Sequence, residues 1–335
     1  MSSSPAHLIR LQDLSRAQID DLLDLSMRLE RRGARESLSG RTVGLLFFRG
    51  SLRTRTSFEA AMYQLGGNTI NLSAASDFWE LEEREGAVMD GKAPEHIKDA
   101  AGVLSAYVNA LAIRPKPAGQ SWSADRRDAE IRSWARWAKV PVINMESALW
   151  HPLQALADLM TLRETLGELA GRRLAVVWTH SPVPATPAVV HSLLHAALGV
   201  GMHVKLAHPP GFELDGEVVS EAVALAEESG GSLETGAAMA DAVRGAHVVY
   251  ARSWQSLEDY GNPTLAASRR SRTVGWTVDE RLMALGDDAR FMHAMPVRRN
   301  LEATDEVLDG PRSLVQRQAE NRLHSQKALL TMLLR

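Results

Sequence analysis

A short stretch from Ser51 to Thr56 carries hydroxyl and guanidinium groups at a spacing that suits phosphate binding. A β-rich run at 42–48 leads through Arg49-Gly50 into Ser51-Leu52-Arg53-Thr54-Arg55-Thr56, and a helix-compatible stretch follows. A helix that begins here directs unsatisfied backbone N–H groups and the positive end of its dipole toward one point. Arginine adds bidentate donors that match phosphate oxygens. The spacing predicts a phosphate site; the alternative is a serine/threonine helix cap flanked by two solvated arginines.

Short β-rich runs alternate with helical patterns along the chain, which indicates an α/β fold with parallel sheets covered by crossover helices. We expect two doubly wound parallel-sheet domains, residues 1–150 and 151–319, with a C-terminal helix at about 320–335 that packs back on the first domain. In such sheets, ligands bind at the carboxyl ends of the strands. The predicted strands are 42–48, 68–72, 110–114, 142–145, 174–179, 203–207, 247–251 and 291–293.

Composition excludes several classes of function. A net charge of −3 gives no general attraction to nucleic acid or to an anionic membrane, and no apolar run is long enough to span one. The chain has no cysteine, which excludes disulfides and cysteine nucleophiles and fits a cytoplasmic protein. No basic segment leads into an apolar run at residues 1–7, so we expect no signal peptide. The eleven histidines lack metal-ligand spacing, so neither a metal nor another cofactor is expected.

Four features in order resemble those of the aspartate and ornithine carbamoyltransferase superfamily. Ser51-x-Arg53-Thr54-Arg55-Thr56 resembles its S-x-R-T-R-T signature, and His151-Pro152-Leu153-Gln154 resembles its H-P-x-Q. His293-Ala294-Met295-Pro296 resembles its H-C-L-P, with Ala294 in place of the cysteine. Arg114 ends a predicted strand where the family keeps a further phosphate-binding arginine. Because these features extend over nearly the whole chain, the sequence is identified as a member of this superfamily.

Carbamoyl transfer requires an amine to attack a carbonyl carbon while phosphate leaves, so substrate orientation and charge stabilisation suffice without a covalent intermediate. By resemblance, Thr54, Arg114 and His151 polarise the carbonyl oxygen. Gln154 and the backbone carbonyl of Met295 hold the carbamoyl NH2 group. The resemblance implies that the catalytic residues are Arg53, Thr54, Arg114, His151 and Gln154. It implies that the full carbamoyl-phosphate site is Ser51, Leu52, Arg53, Thr54, Arg114, His151, Gln154, Ala294, Met295 and Arg322.

The second half of the chain carries the signal for the amine that accepts the carbamoyl group. Ornithine carbamoyltransferases have D-x-x-S-M-G here, and the acid faces the α-ammonium of the amino acid. This chain has no S-M-G at 250–257, and Arg252 stands in the place of the acid. An arginine would repel a free α-ammonium but not an acylated α-nitrogen. The charge therefore favours an ornithine whose α-amine is blocked.

The chain also resembles the N-acetylornithine and N-succinylornithine carbamoyltransferases from end to end. The shared segments include 77–79, 88–91, 144–146, 230–233 and 319–322. The resemblance implies a homotrimer in which Trp79 reaches the active site of a neighbouring subunit. It further implies a knotted second domain, in which a proline-rich loop at 181–187 surrounds a later segment, and a role in arginine biosynthesis. Knots are otherwise very rare, so no other feature predicts one.

Position 94 distinguishes the two acyl groups. Acetyl-specific relatives have glutamate at the place of Pro94, where it would repel a succinyl carboxylate, and succinyl-specific relatives have proline. The alternative is that Pro94 only starts a helix before His96. We expect N-succinyl-L-ornithine as the acceptor, with N-acetyl-L-ornithine as the alternative. The acyl-ornithine site implied by the resemblance is Trp79, Pro94, Glu146, His180, Arg252, Arg281, Met295 and Glu302.

Several departures from these relatives surround the acyl-amino-acid pocket. Arg252 replaces a lysine, and the loop after His180 lacks a second histidine and a nearby cation. Glu302 stands where the acetyl enzyme has a lysine that can be carboxylated, and it supplies a permanent carboxylate of similar reach. Together with Ala294, these changes leave a non-catalytic carbamoyl-phosphate-binding relative as an alternative. A dinucleotide-dependent oxidoreductase would need a glycine-rich turn after 174–179, where the chain has His180-Ser181-Pro182.

Overall fold

The structure is a computed structural model that describes residues 6–32, 37–183, 185–236 and 238–335. Pro184, within the predicted loop at 181–187, and residues 1–5, which contributed to the signal-peptide prediction, lie outside the described residues. The chain forms two compact units. Unit 1 comprises the described residues up to Ala118, with Asp125–Leu156 and Arg322–Arg335. Unit 2 comprises Gly119–Ala124 and Ala157–Asn321, so the division falls slightly beyond the predicted boundary at His151.

The described residues contain short strands and helices of one to five turns. The strands are β1 (Thr42–Phe47), β2 (Asn68–Ser73), β3 (Leu81–Glu82), β4 (Glu95–His96), β5 (Ala110–Arg114), β6 (Val142–Asn144), β7 (Arg173–Trp178), β8 (His203–Ala207), β9 (Ser232–Thr235), β10 (Val248–Arg252) and β11 (Arg290–Met292). A 3-10 turn spans Leu11–Asp13. The helices are α1 (Arg16–Arg32), α2 (Leu52–Gln64), α3 (Ile97–Tyr107), α4 (Trp122–Asp125), α5 (Ala129–Trp137), α6 (Pro152–Leu166), α7 (Ala188–Gly199), α8 (Gly216–Ser229), α9 (Met239–Val243), α10 (Pro263–Ser271), α11 (Glu280–Met283), α12 (Asp305–Asp309) and α13 (Val315–Leu334).

Unit 1 is built on a parallel four-stranded sheet in the order β2-β1-β5-β6. The central strand β1 is apolar at nearly every position and buried on both faces, as is typical of a parallel sheet that helices cover on both sides. The core over one face contains Ile97 and Ala101 from α3, Ile131 and Trp134 from α5, and Ile113 from β5. The sheet therefore holds the carboxyl ends of β1, β5 and β6 side by side.

Unit 2 is built on a parallel five-stranded sheet in the order β11-β10-β7-β8-β9. Its core includes Val177, Val249 and Phe291 from the three strands β7, β10 and β11. Helix α8 begins at the N-cap Asp215, whose side chain accepts hydrogen bonds from the first backbone N–H groups, and ends at Gly230, which has φ +78. Such local signals explain why the alternation of strands and helices was readable from the sequence.

A short segment, 119–124, belongs to unit 2 although its neighbours on both sides belong to unit 1. The indole Nε1 of Trp122 donates to Asp215 Oδ2 at 2.7 Å, and the Trp122 ring lies 5.4 Å from that of Tyr260. Gly261 (φ +83) packs so closely that a Cβ there would lie 2.0 Å from the carbonyl oxygen of Gln120. The sequence did not predict this excursion, because it depends on contacts between distant residues.

The α/β fold and its parallel sheets are confirmed, and β5 and β8 have the predicted bounds. The sequence did not indicate β9, which is mostly exposed and has one apolar residue, or the ribbon of β3 and β4, whose strands have two residues each. The predicted knot around 181–187 stays a prediction. In the described part of the chain, no helix has the length and apolar character needed to cross a membrane.

Candidate active site

The candidate site of unit 1 lies where the carboxyl ends of β1, β5 and β6 meet. Arg49 and Ser51 follow β1, Arg114 ends β5, and Glu146 follows β6. These strands are neighbours in the sheet, so residues 60 positions apart in sequence lie together, as Arg114 and Thr54 do. This is the edge of a parallel sheet at which ligands bind.

Ser51 is the N-cap of α2, and its hydroxyl accepts a hydrogen bond from Thr54 N at 3.3 Å. The first turn of α2 thus presents its backbone N–H groups toward the sheet edge. Leu52 is exposed in this turn, and Arg53 is half-buried. Arg55 lies elsewhere: its guanidinium stacks on Phe47 at 4.2 Å and contacts Asn71. Arg55 is therefore engaged by Phe47 and Asn71, and Arg53 is the arginine of the motif that remains assigned to the predicted phosphate site.

Thr54 joins two distant arginines. Arg322 Nη2 from α13 donates to Thr54 Oγ1 at 2.6 Å, and Arg114 Nη1 donates to the same oxygen at 3.4 Å. Thr54 and Arg322 are both buried. Three predicted members of the phosphate site, taken from the beginning, middle and end of the chain, are therefore assembled around one hydroxyl.

Glu146 neutralises part of this positive charge. Its Oε2 lies 2.5 Å from Arg114 Nη2, and its Oε1 lies 3.5 Å from Arg49 Nη2. Arg49 Nη2 also donates to the Glu146 carbonyl oxygen at 2.9 Å. The backbone of Glu146 has φ +145, which L-residues rarely adopt, so surrounding contacts must hold it there. Glu146, predicted to lie beside the acyl-ornithine, lies in the candidate site of unit 1, in contact with Arg114 and Arg49.

His151 is buried at the start of α6, with its Nε2 3.9 Å from Glu146 Oε2. Burial holds the pKa of His151 well below its ordinary value. The Glu146 carboxylate opposes this shift, whereas the charges of Arg322, Arg114 and Arg49 reinforce it. His151 is therefore a neutral imidazole at pH 7. Gln154 is buried one turn into α6, and its backbone N–H donates to the His151 carbonyl.

Trp79 and Pro94 lie together on the segment that carries the β3–β4 ribbon. Trp79 is 58% exposed, and its Nε1 donates to Glu95 Oε2 at 2.8 Å. Pro94 is exposed beside Glu95. The helix α3 begins only at Ile97, with His96 as its N-cap, so Pro94 is not the first residue of a helix. The structure therefore does not support the alternative that Pro94 only starts a helix.

The candidate site of unit 2 lies at the carboxyl ends of its neighbouring strands β7, β10 and β11. Thr179 and His180 follow β7, Arg252 and Ser253 close β10, and the segment from His293 follows β11. Thr179 Oγ1, Arg252 Nε and Ser253 Oγ are buried without a hydrogen-bond partner among the described residues. Hydrogen-bonding capacity therefore remains at this sheet edge.

His180 is oriented by Thr273. The Thr273 hydroxyl donates to the Arg270 carbonyl at 2.8 Å, so His180 Nδ1, 3.1 Å away, must donate to Thr273 Oγ1. This leaves His180 Nε2 as an acceptor. Burial is the main cause that lowers the pKa of His180, and the charge of Arg270 adds to it.

The segment after β11 is fixed by His293. Met295 N donates to His293 Nδ1 at 2.9 Å, so the proton of this imidazole is on Nε2, which donates to Glu302 Oε2 at 2.7 Å. Met295 has φ +55, and a cis peptide bond links it to Pro296. Ala294 is buried and contributes only a methyl group. Glu302 is thus brought to the predicted site through His293. Arg281 lies exposed on α11 and has no hydrogen bond or ion pair with the described residues.

Three arginines at the candidate sites of the two units were not predicted as site residues from the sequence. Arg49 contacts Glu146, and its position directly after β1 could have indicated it. Arg298 Nε donates to Ser181 Oγ at 3.1 Å, and its closeness to the His293 motif was a usable signal. Arg270 is buried on α10, and its Nη1 donates to the Ser181 carbonyl at 2.9 Å. Burial lowers the pKa of Arg270 to about 10. The surrounding sequence at 268–272, Ser-Arg-Arg-Ser-Arg, is typical of a solvated helix face and gave no indication that Arg270 is a site residue.

Because the pKa of His151 is lowered in the folded state, we expect this residue to change how the free energy of unfolding depends on pH. A histidine with a folded-state pKa below its unfolded-state value binds protons better when unfolded, so its contribution is complete above about pH 6.5 and is lost as pH falls. We expect the free energy of unfolding to fall less steeply from about pH 7.5 to about pH 5 in His151→Gln than in the wild type. Urea unfolding followed by circular dichroism at several pH values measures this slope. Parallel pH profiles for the two proteins would contradict the prediction.

Comparison with known proteins identifies the family. Residues 6–164 match the carbamoyl-P binding domain, and residues 183–333 the Asp/Orn binding domain, of aspartate/ornithine carbamoyltransferase. The N-acetylornithine carbamoyltransferase of Xanthomonas campestris pv. campestris is 41% identical over 330 residues, which cover 98% of this chain and 97% of the relative.

Solved structures agree in fold over the same length. The crystal structure of acetylornithine transcarbamylase complexed with acetylcitrulline matches with a TM-score of 0.96 and 41% identity, covering 98% of this chain and 99% of that one. A variant of N-acetyl-L-ornithine transcarbamylase with one glutamate replaced by proline, complexed with carbamyl phosphate and N-succinyl-L-norvaline, matches with a TM-score of 0.95, 41% identity and the same coverage. The chain is therefore an enzyme that belongs to the aspartate/ornithine carbamoyltransferase family.

Proposed function

We propose that this enzyme transfers the carbamoyl group of carbamoyl phosphate to the δ-amine of N-succinyl-L-ornithine, giving N-succinyl-L-citrulline and phosphate. N-acetyl-L-ornithine is the alternative acceptor. The observation that carries the proposal is the assembly of Arg114 and Arg322 around Thr54 at the N-terminus of α2. Such a cluster of guanidinium and backbone donors suits a phosphate dianion.

In the proposed mechanism, the first turn of α2 holds the phosphate through Ser51, Leu52, Arg53 and Thr54. The guanidinium groups of Arg114 and Arg322 neutralise the negative charge of the phosphate. The neutral His151 is suited to donate a hydrogen bond to the carbonyl oxygen without adding a competing charge. Gln154 and the Met295 carbonyl would hold the carbamoyl NH2 group, a contact that Ala294 does not remove because it uses backbone. The neutral δ-amine attacks the carbonyl carbon, the bond between this carbon and the phosphate oxygen breaks, and the departing phosphate takes the proton that the amine nitrogen loses.

The charge of unit 2 supports an acylated acceptor. Arg252, Arg270 and Arg298 form no ion pair with a described acidic residue, and Glu302 is engaged by His293. A free α-ammonium would meet cations at this edge of the sheet, whereas an acylated α-nitrogen carries no charge. An α-carboxylate, and the further carboxylate of a succinyl group, would find guanidinium partners. The proposed acyl-ornithine residues here are His180, Arg252, Met295 and Glu302.

The choice of succinyl over acetyl rests on Pro94. Pro94 is exposed, uncharged and adjacent to Glu95, which holds the indole of Trp79. The relative whose glutamate was replaced by proline was complexed with N-succinyl-L-norvaline, which supports the argument that removing a carboxylate makes room for a succinyl group. We retain Arg281 only as a weaker candidate, because it is exposed and lacks a contact with the other proposed residues.

A homotrimer, with Trp79 completing a neighbouring active site, is part of the proposal. The segment that carries Trp79 also exposes Val88 at 80% and Met89 at 40%. Apolar side chains grouped on one exposed segment are typical of a surface that another molecule covers. The cytoplasmic location, the knot and a role in arginine biosynthesis stay predictions. A binding-only relative is disfavoured because Thr54, Arg114, His151 and Gln154 are all retained and buried or half-buried together.

The proposed phosphate site predicts different effects for substitutions of Arg53 and Arg55 on α2. Arg53→Ala should weaken carbamoyl-phosphate binding by at least about 100-fold, because it removes charge-assisted hydrogen bonds to phosphate. Isothermal titration calorimetry measures this loss. Arg55→Ala is the matched control, since Arg55 lies on Phe47 and should leave the affinity nearly unchanged. Normal affinity in Arg53→Ala would overturn the phosphate assignment.

The proposed acceptor is tested by product formation from carbamoyl phosphate with ornithine, N-acetylornithine, N-succinylornithine and aspartate in parallel. We expect the highest kcat/KM with N-succinylornithine and almost no turnover of ornithine or aspartate. Preference for N-acetylornithine would keep the reaction and remove the succinyl assignment. If a folded enzyme that binds carbamoyl phosphate carbamoylates none of the four, the acylated-ornithine proposal is wrong.

Pro94→Glu isolates the selector for the acyl group. A carboxylate there should repel a succinyl carboxylate, so the ratio of kcat/KM for succinyl over acetyl should fall by at least about tenfold. Pro94→Ala removes the ring without adding charge and should keep the wild-type ratio. Equal ratios in Pro94→Glu and Pro94→Ala would show that position 94 does not select the acyl group.

A further inference from the structure

We propose that Asp128 is a positioning residue for the reaction: it holds the segment 146–150 that presents Glu146 and His151, an inference that rests on the proposed function of unit 1. Asp128 immediately precedes α5 and lies between Arg114 and Glu146 in sequence. No motif indicated it. Among the described residues it makes no hydrogen bond to a group assigned to substrate, and it acts through the backbone that carries those groups.

The carboxylate of Asp128 is buried, with 6% of the residue exposed, and accepts three hydrogen bonds from the segment. Ser147 Oγ donates to Oδ2 at 2.6 Å, and Ala148 N and Leu149 N donate to Oδ1 at 3.1 and 3.4 Å. A single ionised carboxylate can accept all of these bonds, whereas a shorter or neutral side chain cannot. Asp128 itself adopts φ +49, a left-handed conformation that aspartate tolerates better than most residues.

Ser147 connects Asp128 to the rest of the segment through further hydrogen bonds. Its hydroxyl accepts from Asn144 Nδ2 at 3.0 Å and from Trp150 N at 3.2 Å while it donates to Asp128. Ser147 N also donates to the Trp150 carbonyl at 3.0 Å. The hydroxyl is therefore already occupied as an acceptor, and Asp128 Oδ2, at 2.6 Å, is a nearer acceptor for its proton than the Trp150 carbonyl at 3.3 Å.

The segment needs such an anchor because it carries strained backbone. Glu146 has φ +145, a conformation that persists only when surrounding contacts hold it. This backbone directs the Glu146 carboxylate to Arg114 and Arg49, and His151 follows at the end of the segment. Movement of the segment would displace both Glu146 and His151. It would leave the first turn of α2 in place, because Ser51 caps that helix independently.

Burial of Asp128 also has an electrostatic consequence. Burial raises its pKa to about 6, against the opposing effects of the Ser147, Leu149 and Ala148 hydrogen bonds and the charge of Arg132. Burial of a carboxylate costs desolvation free energy, and the hydrogen bonds from the segment offset part of this cost.

The test compares Asp128→Ala and Asp128→Asn with the wild type. We expect kcat to fall at least about tenfold in Asp128→Ala, because misplacing a catalytic group by a fraction of an ångström is costly. The affinity for inorganic phosphate should change by a smaller factor than kcat, since the first turn of α2 is unaffected and only the ion-pair partner of Arg114 moves. Asp128→Asn keeps one acceptor oxygen for the two backbone N–H groups and loses only the Ser147 bond, so its kcat should be intermediate.

Asp215→Asn is the matched control. Asp215 is also 6% exposed and accepts bonds from Trp122 Nε1 and from Glu217 N and Val218 N, but it serves the start of α8. It should lose thermal stability comparable to Asp128→Asn while keeping the wild-type kcat. Equal kcat losses in both variants, or a wild-type kcat in Asp128→Ala, would overturn the proposal.

Hydrogen exchange separates this proposal from the proposed function. Peptides that cover 146–151 should exchange faster in both Asp128 variants and at the wild-type rate in Asp215→Asn, whatever substrate the enzyme uses. Faster exchange with an inactive wild type would reject the proposed reaction and leave the anchoring role intact. Unchanged exchange in Asp128→Asn would reject the anchoring role even if the enzyme is active.

Discussion

The site of unit 1 depends on how positive charge is held at a sheet edge that excludes much of the solvent. Arg114 and Arg322 share the hydroxyl of Thr54, and Glu146 contacts Arg114 and Arg49. Like charges at such distances repel strongly where the dielectric constant is low, so they coexist only if hydrogen bonds and an opposite charge offset the repulsion. The strained backbone of Glu146 and the anchored segment behind it follow from the need to place that opposite charge.

The same constraint determines the state of His151. Three guanidinium groups surround it and burial removes water, so the imidazole stays neutral although Glu146 is near. A neutral imidazole can donate one hydrogen bond and accept another, which suits the proposed role of His151 in polarising the carbonyl oxygen. Both units use the carboxyl edge of a parallel sheet, but unit 1 collects donors for an anion, whereas unit 2 fixes two histidines through Thr273 and Glu302.

Much of this could be predicted from the sequence, because the signals were local. The cap at Ser51 and the strand that ends at Arg114 could be predicted from the order of the residues. Roles that depend on packing were not readable. Arg55 turned to the sheet face although its motif suggested phosphate, and Arg270 is buried although its helix reads as solvated. Asp128 gave no signal, since its partners lie some twenty residues away and are mostly backbone groups.

Ala294 gives the enzyme a property of practical use. With no cysteine anywhere in the chain, neither site holds a thiolate that alkylating agents, heavy metals or peroxides could attack. Inactivation by such reagents therefore cannot serve as a signature of this enzyme, as it could for a relative that keeps the cysteine. A cysteine introduced at position 294 would be the sole thiol of the protein. Its rate of reaction with a small thiol reagent would report how often the segment around position 294 becomes accessible, without background from other thiols.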